Sequence, residues 1–136
     1  MAAKTSPALR LRLAILNDSS HVLTLLCNWF QMHGHSCTTA VVAEMPKAHI
    51  EVEQFICEHN YDVVVYDVPM PYASSWDLLD VIRAMPSLRS QAFVITTRNK
   101  QKLEQAVGRT TAIEVAGQSN ELRHLLKAVE AAGTAV

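Results

Sequence analysis

The residues of this sequence best suited to chemistry stand at the ends of apolar runs. Asn17 and Asp18 follow the run Leu11–Leu16, Asp67 follows Tyr61–Tyr66, and Thr96 and Thr97 follow Ala92–Ile95. Two carboxylates and an amide in a shallow pocket suit a hard divalent cation such as Mg²⁺, which keeps several of its waters. A carboxylate beside that cation can act as a nucleophile toward phosphorus. A hydroxyl close by can bind phosphoryl oxygens. This chemistry requires the three runs to be neighbouring strands that end on the same side.

The elements between the runs predict that arrangement. Ser19 or Ser20 can cap a helix whose apolar stripe is Val22, Leu23, Leu25, Leu26, Trp29 and Phe30, and Gly34 sits where it should stop. Ser36–Val42 reads as a second strand, and Lys47–His59 as a second helix that begins after Pro46. Val63-Val64-Val65 is a continuous apolar run, as expected of a parallel strand buried on both faces. Val68–Pro71 holds two prolines and must be a loop.

A third helix capped by Ser74 or Ser75 carries Leu78, Leu79, Val81 and Ile82 and ends at Pro86. A polar fourth helix runs to about Val107, ahead of Gly108. Ala112–Val115 is a short fifth strand, and Asn120–Ala131 a last helix with Leu122, Leu125, Leu126 and Val129 inward. The small residues Gly133–Val136 read as a frayed tail. Five strands alternating with five helices predict a three-layer, doubly wound α/β domain on a parallel sheet with right-handed crossovers. Ligands bind such sheets at the C-terminal strand ends.

Composition narrows the alternatives. A chain of 136 residues has the length of one domain, with a core from about residue 9 to 131. Apolar residues make up 49% and charged residues 18%, the balance of a globular chain. The net charge of −1 argues against direct nucleic-acid binding. Gly34, Gly108, Gly117 and Gly133 are too scattered to build a phosphate-cradling loop. Cys27, Cys37 and Cys57 are an odd count without C-x-x-C spacing, which points to a reducing, cytoplasmic compartment. No run approaches the roughly 18 apolar residues of a membrane span. The six histidines match no zinc spacing, with His21 placed nearest the pocket rim.

With these residues in order, the chain resembles the receiver domain of bacterial two-component response regulators. The resemblance runs from Leu11 to about Ala131 and rests on Asn17-Asp18, on Asp67-Val68-Pro69-Met70-Pro71 as the D-x-x-M-P segment, and on Thr96. It implies a cytoplasmic protein of phosphorelay signalling, not an enzyme in the ordinary sense, with Asp67 as phospho-acceptor. It further implies Mg²⁺ held by Asp18, Asp67 and the Pro69 carbonyl, with Asn17 reaching the ion through water. Thr96 would hydrogen-bond the phosphoryl group. The implied partners are a histidine kinase or phosphotransfer protein as donor, a downstream protein that reads the surface, and a second copy in a homodimer. Neither a membrane nor nucleic acid is implied.

The sequence also departs from the family. Val115 stands where the family has a Lys, and Ala112 where it has an aromatic switch residue. Asn17 replaces a carboxylate, and Pro69 has no N–H to donate. Losing an oxyanion donor can cost two to three decades in rate. Hence a second reading is a pseudo-receiver, a binding module not switched by phosphate. Arg98, two residues after Thr96, could replace part of the missing charge or be a solvated residue at a helix start. A phosphatase of the haloacid-dehalogenase type would need an acid where Pro69 stands.

Overall fold

A computed structural model describes residues 9–134. Its element order is β1 (Arg12–Asn17), α1 (Ser20–Met32), β2 (Ser36–Val41), α2 (Ala48–Cys57), β3 (Val63–Asp67), α3 (Tyr72–Arg83), β4 (Phe93–Thr97), α4 (Lys100–Val107), β5 (Ile113–Glu114) and α5 (Ser119–Thr134). Single 3₁₀ turns lie at Val42–Glu44 and Pro86–Leu88. The strands form one sheet in the order β2-β1-β3-β4-β5, and every pair is parallel. The expected doubly wound α/β fold is therefore present.

Side chains alternate along each strand, so each strand feeds two cores. Leu13, Ile15, Val63, Val65 and Val94 pack with Leu23, Leu26 and Phe30 of α1 and Leu125 and Val129 of α5. Ala14, Leu16, Val64, Tyr66 and Ile95 pack on the other face with Val52 and Ile56 of α2, Leu79 and Ile82 of α3, and Leu103 of α4. β3 is buried along its whole length. That is why its sequence is a continuous apolar run rather than an alternating one.

Helix ends follow local chemistry. The Ser19 side chain accepts a hydrogen bond from the Val22 N–H and caps α1. Gly34 and Gly108 take φ of +90° after α1 and α4, a conformation that favours glycine. The third helix differs from expectation. It begins at Tyr72 with Pro71 at its N-cap and no side-chain cap, so Ser74 and Ser75 lie inside the first turn. Proline at the boundary presets the backbone and needs no cap hydroxyl. Leu25 and Val81, read as inward, are exposed, because each lies off its helix's buried stripe. The C-terminal tail also differs. α5 continues through Thr134, and the backbone of Gly133 lies so close to Leu11 that a β-carbon there would meet the Leu11 side chain. Residues 135 and 136 of the expected tail lie outside the described residues.

The cysteines are free, and Cys37 behaves as a small apolar residue. Burial pushes its thiol up to about 12, with Cys27 adding to the shift. Trp76 is half-buried, with the Arg83 guanidinium over its ring at 5.6 Å.

His35 has a structural role that its spacing does not announce. It is buried; its Nδ1 accepts from the Leu11 N–H at 3.0 Å, and its Nε2 lies 2.8 Å from Glu130 Oε2. One ring thus ties the entry of β1 to α5. Replacing it by Ala strands a buried backbone donor and opens a cavity. We expect His35→Ala to lower unfolding free energy by about 2–4 kcal/mol, measured by urea denaturation. A loss under about 1 kcal/mol would show that water replaces the ring at no cost.

Candidate functional site

The sheet brings the predicted residues together through register. Asp67 on β3 is paired with Thr96 on β4. Asn17 lies one step beyond the Leu16–Tyr66 pair. These three residues therefore form the last row across the central strands. By alternation they continue the row Ile15, Val65 and Val94 on the α1/α5 face.

They are also the polar residues that burial would otherwise penalise. Asn17 is 8% exposed, Asp67 9% and Thr96 1%. Thr96 Oγ1 donates to Asp67 Oδ1 at 2.8 Å. Thr97, one residue on, points to the opposite face and donates to the Val68 carbonyl at 3.0 Å. The alternation separates the two threonines: Thr96 belongs to the carboxylate and Thr97 anchors the loop after β3.

Burial raises the Asp67 carboxyl to about 6, against its ordinary 3.8. The Thr96 hydrogen bond lowers it, the Asp18 carboxylate raises it, and the Arg98 guanidinium lowers it. The same surroundings push the Tyr66 hydroxyl up to about 12, chiefly by burial and then by Asp18 and Asp67. Asp18 is exposed, and its Oδ1 accepts from the Ala43 N–H at 2.9 Å. This bond ties the end of β1 to the turn after β2. Asn17 Oδ1 accepts from the Ser19 N–H at 2.9 Å, an Asx turn that starts α1.

Two clefts meet at Asp67. One, of about 630 Å³, is lined by Asn17, Asp18, Pro69, Met70, Tyr72 and Lys102 among others. The second, of about 550 Å³, lies between α1 and α5. Its walls include Leu25, Leu26, Val115 and Leu122, with Asp67 and Thr96 lining its base. Arg98 borders both clefts and is itself exposed. It is a solvated residue at a helix start, as its position suggests, and it also stands close enough to act on Asp67.

The donors on the polar side fit Mg²⁺ in kind. They are carboxylate, amide and carbonyl oxygens, and Asp18 and Asp67 are near enough for one charge to disturb the other. Among the described residues, no three His, Cys, Asp or Glu side chains gather as a metal site. Oxygen donors of this kind suit a hard ion that retains much of its water.

Two features escaped the sequence reading. The first is the second cleft, which α1, the loop after β5 and α5 enclose together. The second is Glu121, whose Oε1 accepts from the N–H groups of Ala116, Gly117 and Gln118 at 2.7, 3.1 and 2.9 Å. A positive φ at Gly117 permits this turn. The carboxylate in the first turn of α5 holds the loop after β5 against the helix. The signal available was an acid just inside a helix that follows a glycine loop. Glu121→Ala should release three backbone donors, speed amide exchange at residues 116–118 at least tenfold, and cost about 1–2 kcal/mol. Unchanged exchange would show the loop is held by other contacts.

No family model matches this sequence, and no curated protein matches it. Solved structures do match in three dimensions. A CheY-like response regulator receiver domain from Methylobacillus flagellatus is 16% identical with a TM-score of 0.64, covering 89% of this chain and 99% of that one. A sensor protein from Polaromonas is 16% identical with a TM-score of 0.67, covering 90% and 98%. The response regulator TrrA from Thermotoga maritima, solved with Mg²⁺ and BeF, is 20% identical with a TM-score of 0.61, covering 88% and 98%. The same regulator has been solved in complex with the histidine kinase ThkA. No helix among the described residues is long and apolar enough to cross a membrane. With TM-scores above 0.6 and nearly full mutual coverage, this chain has the CheY-like receiver fold of response regulators.

Proposed function

We propose that this chain is a phosphorelay receiver, with Asp67 as phospho-acceptor. The observation that carries this reading is the buried Asp67 carboxylate at the end of β3, held by the Thr96 hydroxyl at 2.8 Å with Asp18 beside it. A carboxylate oxygen of Asp67 would form a bond to phosphorus as the P–N bond of a phosphohistidine donor breaks. Thr96 would turn its hydroxyl from the carboxylate to a phosphoryl oxygen. Arg98 would offset part of the added charge. Asp18, Asp67 and the Pro69 carbonyl would hold Mg²⁺, and Asn17 would reach it through water. When bound, the ion supplies charge neutralisation for the phosphoryl oxygens.

A histidine kinase or phosphotransfer protein is the proposed donor, in the cytoplasm. The output is proposed to pass through a partner that reads this domain's surface, with self-pairing as one form of it.

A second reading is a binding module that keeps the fold without the switch. It is favoured by Val115 at the edge of the cleft and by Pro69, which cannot donate to a phosphoryl oxygen.

One experiment separates the two. The purified protein is incubated with acetyl phosphate or phosphoramidate and Mg²⁺, and intact mass is followed over time. Gain of one phosphoryl group, absent in Asp67→Ala and absent with chelator, supports the first reading. No gain under any donor, including a phosphorylated histidine protein, leaves the second.

A further inference from the structure

The cleft between α1 and α5 is built differently from the polar cleft on the other side of Asp67. Val22, Leu25 and Leu26 of α1 and Val115 and Leu122 near α5 line it with carbon. Leu25 is 50% exposed there, an apolar side chain with one face toward open space. Asp67, nine-tenths buried, lines the base. Thr96 bonds its Oδ1, while Oδ2 carries no protein donor among the described residues and is not among the buried unbonded atoms, so it is open to a ligand or to water where the two clefts meet. Ala116, Gly117 and Gln118 also line the cleft, and their N–H groups donate to Glu121 rather than to Asp67. A volume of about 550 Å³ lies within the range of small-molecule sites.

We propose that this cleft binds a small organic amine. Its ammonium group would sit on the Asp67 carboxylate, and its aliphatic or aromatic body would lie against Leu25, Leu26, Val115 and Leu122. An apolar wall calls for an apolar body, and a carboxylate with one oxygen open at the base of the cleft calls for a charged donor. A carboxylate ligand of the same shape would meet the charge of Asp67 at close range. His21 and Arg98, both exposed at the mouth, favour a neutral or anionic group at the ligand's far end over a second cation. The site shares Asp67 with the phosphorelay reading, but binding there needs neither Mg²⁺ nor a phosphoryl donor.

The test uses the full chain in chelator at pH 7.5, with phenethylamine and hexylamine as probes and phenylpropionate and hexanoate as shape controls. Amide chemical shifts are followed by two-dimensional NMR. The amines should move signals of Leu25, Leu26, Val115 and Leu122 with saturation, and should bind at least tenfold more tightly than the acids. Asp67→Asn should weaken amine binding about tenfold or more. Val115→Lys, whose tethered ammonium reaches the same carboxylate, should block it even if Asp67→Asn changes the fold. The proposal is overturned if no saturable shifts arise at millimolar amine, if acids bind as tightly as amines, or if the shifts scatter over exposed carboxylates away from the cleft. Phosphorylation of Asp67 can fail while amine binding succeeds, and the reverse, so each outcome stands alone.

Discussion

Asp67→Asn is expected to stabilise the fold at pH 7 while abolishing phosphorylation. The carboxyl of Asp67 is raised from 3.8 to about 6, chiefly by burial. The sign follows from proton binding. Between those two values the native state holds a proton that the unfolded chain has released, so stability falls as pH rises through that window. Above about 6 the penalty is complete, and below 3.8 it vanishes. A shift from 3.8 to about 6 corresponds to about 3 kcal/mol at neutral pH. Asparagine keeps the shape and can still accept from Thr96, which donates at 2.8 Å, but it carries no charge. Allowing for imperfect pairing of the new amide, a gain of about 1–3 kcal/mol is expected. Urea denaturation of both proteins at pH 4, 5, 6 and 7 measures it. The advantage of the variant should shrink steadily toward pH 4. A pH-independent difference, or a loss of stability at pH 7, would mean that the Asp67 charge is already compensated.

Val115→Lys should raise the rate of phosphorylation by about a hundredfold. Val115 lines the cleft with Asp67, and its N–H donates to the Thr97 carbonyl at 2.9 Å, which fixes its backbone beside β4. A lysine stem can lie along Leu25 and Leu122 while its ammonium reaches the carboxylate. That ammonium would stabilise charge developing on the phosphoryl group. It would also draw the Asp67 carboxyl below about 6, since it adds a cation where Arg98 acts from the rim. Single-turnover mass spectrometry reads the rate, and carbon-13 NMR of the aspartate carboxyls reads the titration. A lowered carboxyl titration with an unchanged rate would show that charge at this position is not what limits transfer. If neither changes, the lysine does not reach Asp67.

The two experiments bear on one question: how much of a receiver's chemistry survives with an apolar residue at the end of the last strand. A stabilising Asp67→Asn would mark a carboxylate kept at the expense of the fold, as sites under functional constraint often are. An accelerating Val115→Lys would place the deficit at one position. An inert pair would favour the binding module.

Much of this protein was readable along the chain. The run Val63-Val64-Val65 reads as a strand covered on both sides, and it feeds both cores. Asn17, Asp18, Asp67 and Thr96 stood at strand ends, and parallel strands joined by right-handed crossovers place such ends together. The parallel sheet does bring Asn17, Asp67 and Thr96 into one row, because strand alternation and parallel pairing follow local rules that few tertiary contacts overturn. The start of α3 departs from the serine caps that the sequence suggests, because Pro71 stands at the boundary.

What the chain alone did not decide depends on distant residues meeting. His35 became a strut because Leu11 and Glu130 arrive beside it. Thr96 and Thr97 parted company only when β4 met β3, which turned one hydroxyl to Asp67 and the other to Val68. The raised carboxyl of Asp67 is a property of its burial, which no spacing encodes. The cleft beside it is enclosed by α1, α5 and a loop whose N–H groups Glu121 accepts. Composition and periodicity name the groups that can react. Desolvation and the space around those groups are set by packing between elements far apart in sequence, and so are decided only in the folded molecule.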